Sequence, residues 1–109
     1  MQNPAEVDIL KIVAEPRRRE ILRLVWNRER SAGEIATQFD VTFGAVSQHL
    51  RILSDAKLVV VRRDGRRRLY RADKAALGPL GRQLAVMWSE KLSKLKQLSE
   101  GEWNGRKRK

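Results

Sequence analysis
The chain contains no cysteine, and only one of its 109 residues is histidine. Disulfides and thiolate metal centres are therefore excluded, and cysteine usage points to no compartment. Aromatic residues are sparse at 6%, and 13 acids face 24 lysines and arginines, for a formal net charge of +11. That shortage of acid favours a polyanionic partner, with nucleic acid ahead of a membrane surface. It also argues against catalysis. The acids are scattered, with no pair on one expected face beside a nucleophile. Ser47 has no base partner except its neighbour His49, which points elsewhere on a helix. No stretch approaches the roughly 18 apolar residues of a membrane span, and the start of the chain lacks a basic-then-apolar signal pattern. The expectation is a soluble, cytoplasmic protein that is not an enzyme and uses no cofactor.

The length suits one domain, expected over residues 1–104, followed by a basic disordered tail over 105–109. A monomer this small leaves much of its surface wet, so a dimer that buries more is expected.

The most informative stretch runs from Thr42 to Lys57. Thr42 suits an N-cap, where its hydroxyl accepts from a free N–H of the first turn. Val46, Leu50 and Leu53 recur at steps of four and three and make one apolar stripe. Gly44, Ala45, Ser47, Gln48 and Arg51 fall off that stripe and face outward. Small side chains near a helix start allow close approach to a duplex. Gln can address adenine and Arg guanine, while Ser is tolerant. Thr42, Ser47, Gln48 and Arg51 are the candidate contacts to bases or nearby phosphates. His49 reads instead as a capping or core residue.

Upstream, Ser31-Ala-Gly-Glu34 has the form of a capping box, followed by a short buried face of Ile35, Ala36 and Phe39. Asp40-Val41 is a tight turn into the Thr42 helix. Two short helices so joined make a helix-turn-helix, with the second helix as reader. Downstream, Leu58–Arg63 is β-branched, Asp64-Gly65 is a two-residue hairpin signal, and Arg66–Ala72 returns. This hairpin carries Arg62, Arg63, Arg66, Arg67, Arg68 and Arg71 against one acid, Asp64. Self-repulsion makes such a cluster costly without an anion, so Arg63, Arg66 and Arg67 near the tip are candidates for phosphate or minor-groove contact. A hairpin alone is marginal. Leu58, Val59, Leu69 and Tyr70 are expected to pack it onto the helices as the wing of a winged helix.

The ends of the chain supply two more helices. Asn3-Pro4 caps and opens the first, to Ala14, with Val7, Leu10, Val13 and Ala14 on one face, widened by Ile9 and Ile12. Glu15-Pro16 punctuates. A second helix to about Asn27 has Ile21, Leu22, Leu24, Val25 and Trp26 as its core, with Arg17, Arg18, Arg19 and Arg23 decorating the rest. A long helix from Lys74 to about Glu100, softened by Gly78-Pro79 and Gly81, has Leu80, Leu84, Met87, Trp88, Leu92, Leu95 and Leu98 along one side. So apolar a final helix has little to pack on within one small domain. It is expected to pair with its copy and with the first helix of a second subunit, placing Val7, Leu10, Leu84, Trp88, Leu92 and Leu95 in a dimer interface. Trp88 and Met87 could also line an effector cavity between subunits, although dimer core is the plainer reading. A small-molecule effector of unidentified chemistry is left open as a partner. The fold class is mainly α with a small β-hairpin, in the order α-α-α-α-β-β-α.

Five segments in this order carry a resemblance. Ala14-Glu-Pro-Arg-Arg-Arg-Glu-Ile-Leu22, Ser31-Ala-Gly-Glu-Ile-Ala36, Val46-Ser-Gln-His-Leu50, Leu53-Ser-Asp-Ala-Lys-Leu-Val59 and Gly65-Arg-Arg-Arg-Leu-Tyr70 resemble the ArsR/SmtB family of bacterial winged-helix repressors. The resemblance spans about Pro4 to Trp88. It implies a homodimer, built through the first and last helices, that represses by binding an inverted repeat in a promoter. Metal-sensing members carry a Cys-x-Cys in the helix before the reader, or His and Asp pairs on the last helix. The stretch Ser31–Thr37 has no thiol, and the last helix has no histidine. Zn²⁺ or Cu⁺ needs three or four convergent N/S ligands. In this respect the sequence resembles the metal-free branch of that family. Two rival functions are a sequence-tolerant, chromatin-like DNA binder driven by charge and a protein-interaction adaptor that docks through its last helix. Single-strand RNA readers present aromatics on a sheet, and this hairpin offers only Tyr70.

Overall fold
The computed structural model describes residues 4–90. The elements run α1 (Pro4–Val13), α2 (Pro16–Leu24), β1 (Arg30–Ser31), α3 (Ala32–Ala36), α4 (Phe43–Asp55), β2 (Val59–Asp64), β3 (Arg67–Ala72) and α5 (Lys74–Leu77). Residues 79–90 then continue as a helix, α6. This is the predicted winged helix-turn-helix order with an added strand, β1, and the last helix divided into α5 and α6. The short β1 pairs with β3, so the hairpin becomes a three-stranded antiparallel sheet in the order β1-β3-β2.

The chain falls into two units, Met1–Leu77 and Gly78–Lys109. The core of the first is aliphatic. Ile21, Leu22, Val25, Ile35, Val46, Leu50, Leu53 and Leu58 are all but completely buried. The predicted hairpin anchors Leu58, Val59, Leu69 and Tyr70 are buried as well. Two backbone bonds tie the sheet to the helices: the Ala72 N–H donates to the Val25 carbonyl, and the Asp73 N–H to that of Leu58, both at 2.9 Å.

Three boundaries and one expected buried face differ from expectation. The expected helix from Lys74 breaks at Gly78, which adopts φ +59. That left-handed conformation ends α5, and Pro79 suits the first position of α6. The hairpin loop is Gly65-Arg66 rather than Asp64-Gly65, because Asp64 already pairs with Arg67. Gly65 has φ +65 while Arg66 does not have a positive φ, the pattern that a II′ turn requires. The second helix stops at Leu24, which leaves Trp26 half-buried outside it. There the Lys74 ammonium sits 5.4 Å from the Trp26 ring centroid and donates to the Asn27 side chain at 2.8 Å. Finally, Ala36 and Phe39 are only half-buried, so Ile35 alone anchors α3 fully.

Candidate nucleic-acid interface
The reader helix is fixed at both ends by its own sequence. Thr42 caps it as expected, its hydroxyl oxygen accepting the Ala45 N–H at 3.1 Å. One helix earlier, the capping box forms in both directions. The Glu34 N–H donates to the Ser31 hydroxyl at 3.2 Å, and the Ser31 N–H donates to the Glu34 carboxylate at 3.0 Å. These bonds hold the Glu34 carboxyl below its ordinary pKa. At its far end α4 closes with Leu58 N–H to Leu53 carbonyl and Lys57 N–H to Ser54 carbonyl, both 3.0 Å. This is a Schellman closure. The left-handed position, usually glycine, is Lys57 with φ 62. Leu53 and Leu58, which the motif brings together, are both buried.

That framing leaves one side of α4 to solvent. Val46, Leu50 and Leu53 are buried, while Thr42, Gly44, Ser47, Gln48 and Arg51 are exposed. Ser47, Gln48 and Arg51 come together with Ile52 and Asp55 around one shallow concavity. The Arg51 guanidinium lies 3.9 Å from Asp55, with both side chains over 70% exposed, so the pair is loose and the cation remains available.

The wing presents all six arginines to solvent, but they are not equivalent. Arg62 donates two hydrogen bonds of 2.9 Å to the Glu29 carboxylate, a fork-to-fork pair across 33 positions of sequence. Arg67 stands 3.6 Å from Asp64. Arg63 and Arg66 make no ion pair among the described residues. The Arg62 hydrogen bonds hold the Glu29 carboxyl below its ordinary pKa. A depressed carboxylate pKa contributes stability that is present above the unfolded value and is lost as pH falls through the folded one. The clamp on the wing therefore persists through neutral and mildly acidic solution.

Arg18 and Arg19, expected as surface decoration, and Arg30, on which there was no expectation, all bond to backbone carbonyls. Arg18 Nε donates to the Ile12 carbonyl at 2.7 Å, and Arg19 Nη1 to the carbonyls of Val13 and Ala14 at 2.8 and 3.0 Å. Arg30 Nε donates to the Leu24 carbonyl at 2.8 Å. Cations here satisfy the orphan carbonyls at the ends of α1 and α2. Glu15 caps α2, accepting the N–H groups of Arg17 and Arg18 at 3.1 and 3.2 Å. The same carboxylate lies 3.6 Å from His49 Nε2, while Arg18 Nη1 lies 3.5 Å from His49 Nδ1. His49 thus links the reader helix to the start of α2, away from its exposed side.

Of the expected interface residues, Leu10 is 47% exposed, whereas Leu84 and Trp88 are already buried. Met87, expected on the same side as these, is instead exposed with Val86. Met87 lines an open groove with Arg82, Gln83, Val86 and Glu90. The side chain of Val7, along with Leu92, Leu95, Leu98 and the tail over 105–109, lies outside the described residues.

Two features escaped the sequence. Phe43, unremarked there, is 56% exposed at the first position of the reader helix. Its spacing of three from Val46 and seven from Leu50 continues the apolar stripe, so periodicity alone would bury it. The Glu29–Arg62 clamp has no local signal at all.

Residues 15–60 match the family described as bacterial regulatory protein, arsR family. Over 90 residues the chain is 36% identical to the HTH-type transcriptional regulator Rv2034 of Mycobacterium tuberculosis, covering 83% of this chain and 84% of that one. It is 32% identical over 79 residues to the arsenical resistance operon repressor of Staphylococcus aureus, covering 72% and 76%. Among solved structures, it is similar to a homodimeric winged helix-turn-helix DNA-binding domain, Mb0332 from Mycobacterium bovis. The TM-score is 0.67 at 28% identity, covering 83% of this chain and 90% of that one. Capped reader helix, arginine-bearing wing and these likenesses agree: the chain belongs to the ArsR family of bacterial regulatory proteins, as a winged helix-turn-helix transcriptional regulator rather than an enzyme.

Proposed function
We propose that this regulator is a cytoplasmic homodimer that binds an inverted-repeat operator in promoter DNA and represses transcription from it. The observation that carries this reading is the open side of α4. Ser47, Gln48 and Arg51 bear hydrogen-bonding groups, surround one concavity and serve no packing role. In this reading they address base edges, Thr42 lies near the backbone, and Arg63, Arg66 and Arg67 meet phosphates or the adjacent minor groove. Two reader helices lie in successive major grooves about 34–36 Å apart. The homodimeric M. bovis domain and the repressor name of the S. aureus relative support dimer and repression. Leu10, Val86 and Met87, exposed apolar side chains near the two ends of the described chain, are the surfaces a second subunit would cover. Metal takes no part in this reading. No group of three or more His, Cys, Asp or Glu among the described residues could hold an ion, and the chain has no thiol for a soft one.

Capture of genomic fragments by the purified protein, at near-physiological salt with competitor DNA, tests the proposal. Strong enrichment of one short inverted repeat supports it. Even recovery across the genome would leave only a charge-driven binder.

Gln48→Ala is expected to change which sequences are enriched, because a bidentate pair with a base carries about 1–3 kcal/mol of discrimination. Equal weakening on all duplexes would remove Gln48 from base contact. Gly44→Ala separates recognition from folding. A Cβ there would meet nothing nearer than the Thr42 hydroxyl at 3.9 Å, and Gly44 has no positive φ. The substitution is expected to stabilise the fold by about 0.4–1 kcal/mol in denaturant titration and to weaken operator binding. A loss of stability would assign Gly44 to packing instead.

A further inference from the structure
An aromatic ring 56% exposed at the first position of α4 is out of place for packing. Phe43 precedes Val46 by three residues and the exposed Ser47 by four, which sets it at the edge between the buried stripe and the open polar side of α4, where the core ends one turn short of it. Its neighbour Gly44 is equally unexplained from within. Neither left-handed backbone nor crowding demands a glycine there, and its added Cβ would meet only ordinary van der Waals contact. A bare ring beside a missing side chain makes an apolar step with open space next to it. The occupant must tolerate strong positive charge, since the same unit carries six exposed wing arginines.

Resting on the reading of α4 as the reader helix, the geometry points to Phe43 as a specificity-determining residue that packs on the C5-methyl group of a thymine in the major groove. That methyl is the apolar feature of the groove, and phenylalanine is among the side chains suited to it. Gly44 lets the groove edge approach closely enough for the contact. Each half-site then requires a thymine that no hydrogen bond reads.

Two random-sequence duplex libraries test this, one amplified with thymidine and one with deoxyuridine triphosphate, which lacks only the methyl. The full-length chain and its Phe43→Ala and Phe43→Leu variants select from both. The wild-type chain is expected to enrich an inverted repeat with one invariant thymine per half-site. Placing deoxyuridine at that position should weaken binding about fourfold per half-site, the worth of one buried methyl-sized group. Phe43→Ala should lose both the preference and the sensitivity to deoxyuridine, and Phe43→Leu should keep both. The same repeat enriched equally from both libraries would overturn the role of Phe43 while leaving the reader helix intact. So would a Phe43→Ala variant as sensitive to deoxyuridine as wild type. Absence of any enriched repeat from either library would overturn sequence-specific recognition itself, and this inference with it.

Discussion

Replacing Arg63, Arg66 and Arg67 together with alanine is expected to lower DNA affinity more than any other surface change, and on all duplexes alike. Each phosphate neutralised contributes about 0.9 to the slope of log affinity against log salt. Three arginines on each of two wings give a ceiling of about five on the loss of slope. Arg67 shares its charge with Asp64 at 3.6 Å, which keeps the loss below that ceiling. Titration of a labelled duplex between about 50 and 200 mM salt spans the range in which such contacts change affinity by orders of magnitude. All three side chains are exposed, so stability should move by no more than about 0.5 kcal/mol. Arg62→Ala is the internal comparison. Its guanidinium is committed to Glu29 through two 2.9 Å bonds, so its removal should change the slope less than loss of Arg63 or Arg66. An unchanged slope in the triple variant would reduce the wing to a solvated basic surface.

Leu53→Ala is expected to have the largest effect on folding. Leu53 is fully buried on α4, and its carbonyl accepts the Leu58 N–H that closes the helix. Truncating a buried leucine costs about 2–5 kcal/mol, against a total of about 5–15 kcal/mol for a typical domain. In urea, at fixed protein concentration because a dimer couples to folding, the midpoint should fall with little change in slope. Leu53 lies on the buried stripe, opposite the concavity of Ser47, Gln48 and Arg51, so the folded fraction should keep its DNA preference. A cost below about 1 kcal/mol would mean that the surroundings collapse to refill the space.

The difference between these two variants follows how the chain encodes each part. Local rules were enough for the reader unit. The Ser31 capping box, the Thr42 cap and the Val46–Leu50–Leu53 stripe each depend on residues within about two helical turns of each other, and all three form as read. A β-branched run and a glycine turn were enough for the wing, although the pairing of Asp64 with Arg67 moved its loop by one residue.

By itself, then, the sequence determined the order of the elements, the reader helix with its exposed polar side, the basic wing, and the absence of thiol ligands. All of these rest on spacing along the chain or on composition. Only the tertiary structure decided which charges are free. Arg18, Arg19 and Arg30 are committed to helix-end carbonyls five or six positions away, and Arg62 to a carboxylate 33 positions away. It also left Phe43 in solvent, because an apolar stripe is buried only where another element lies against it, and the core ends one turn before the helix does. Periodicity records which way a side chain faces; what stands opposite it is set by the rest of the fold.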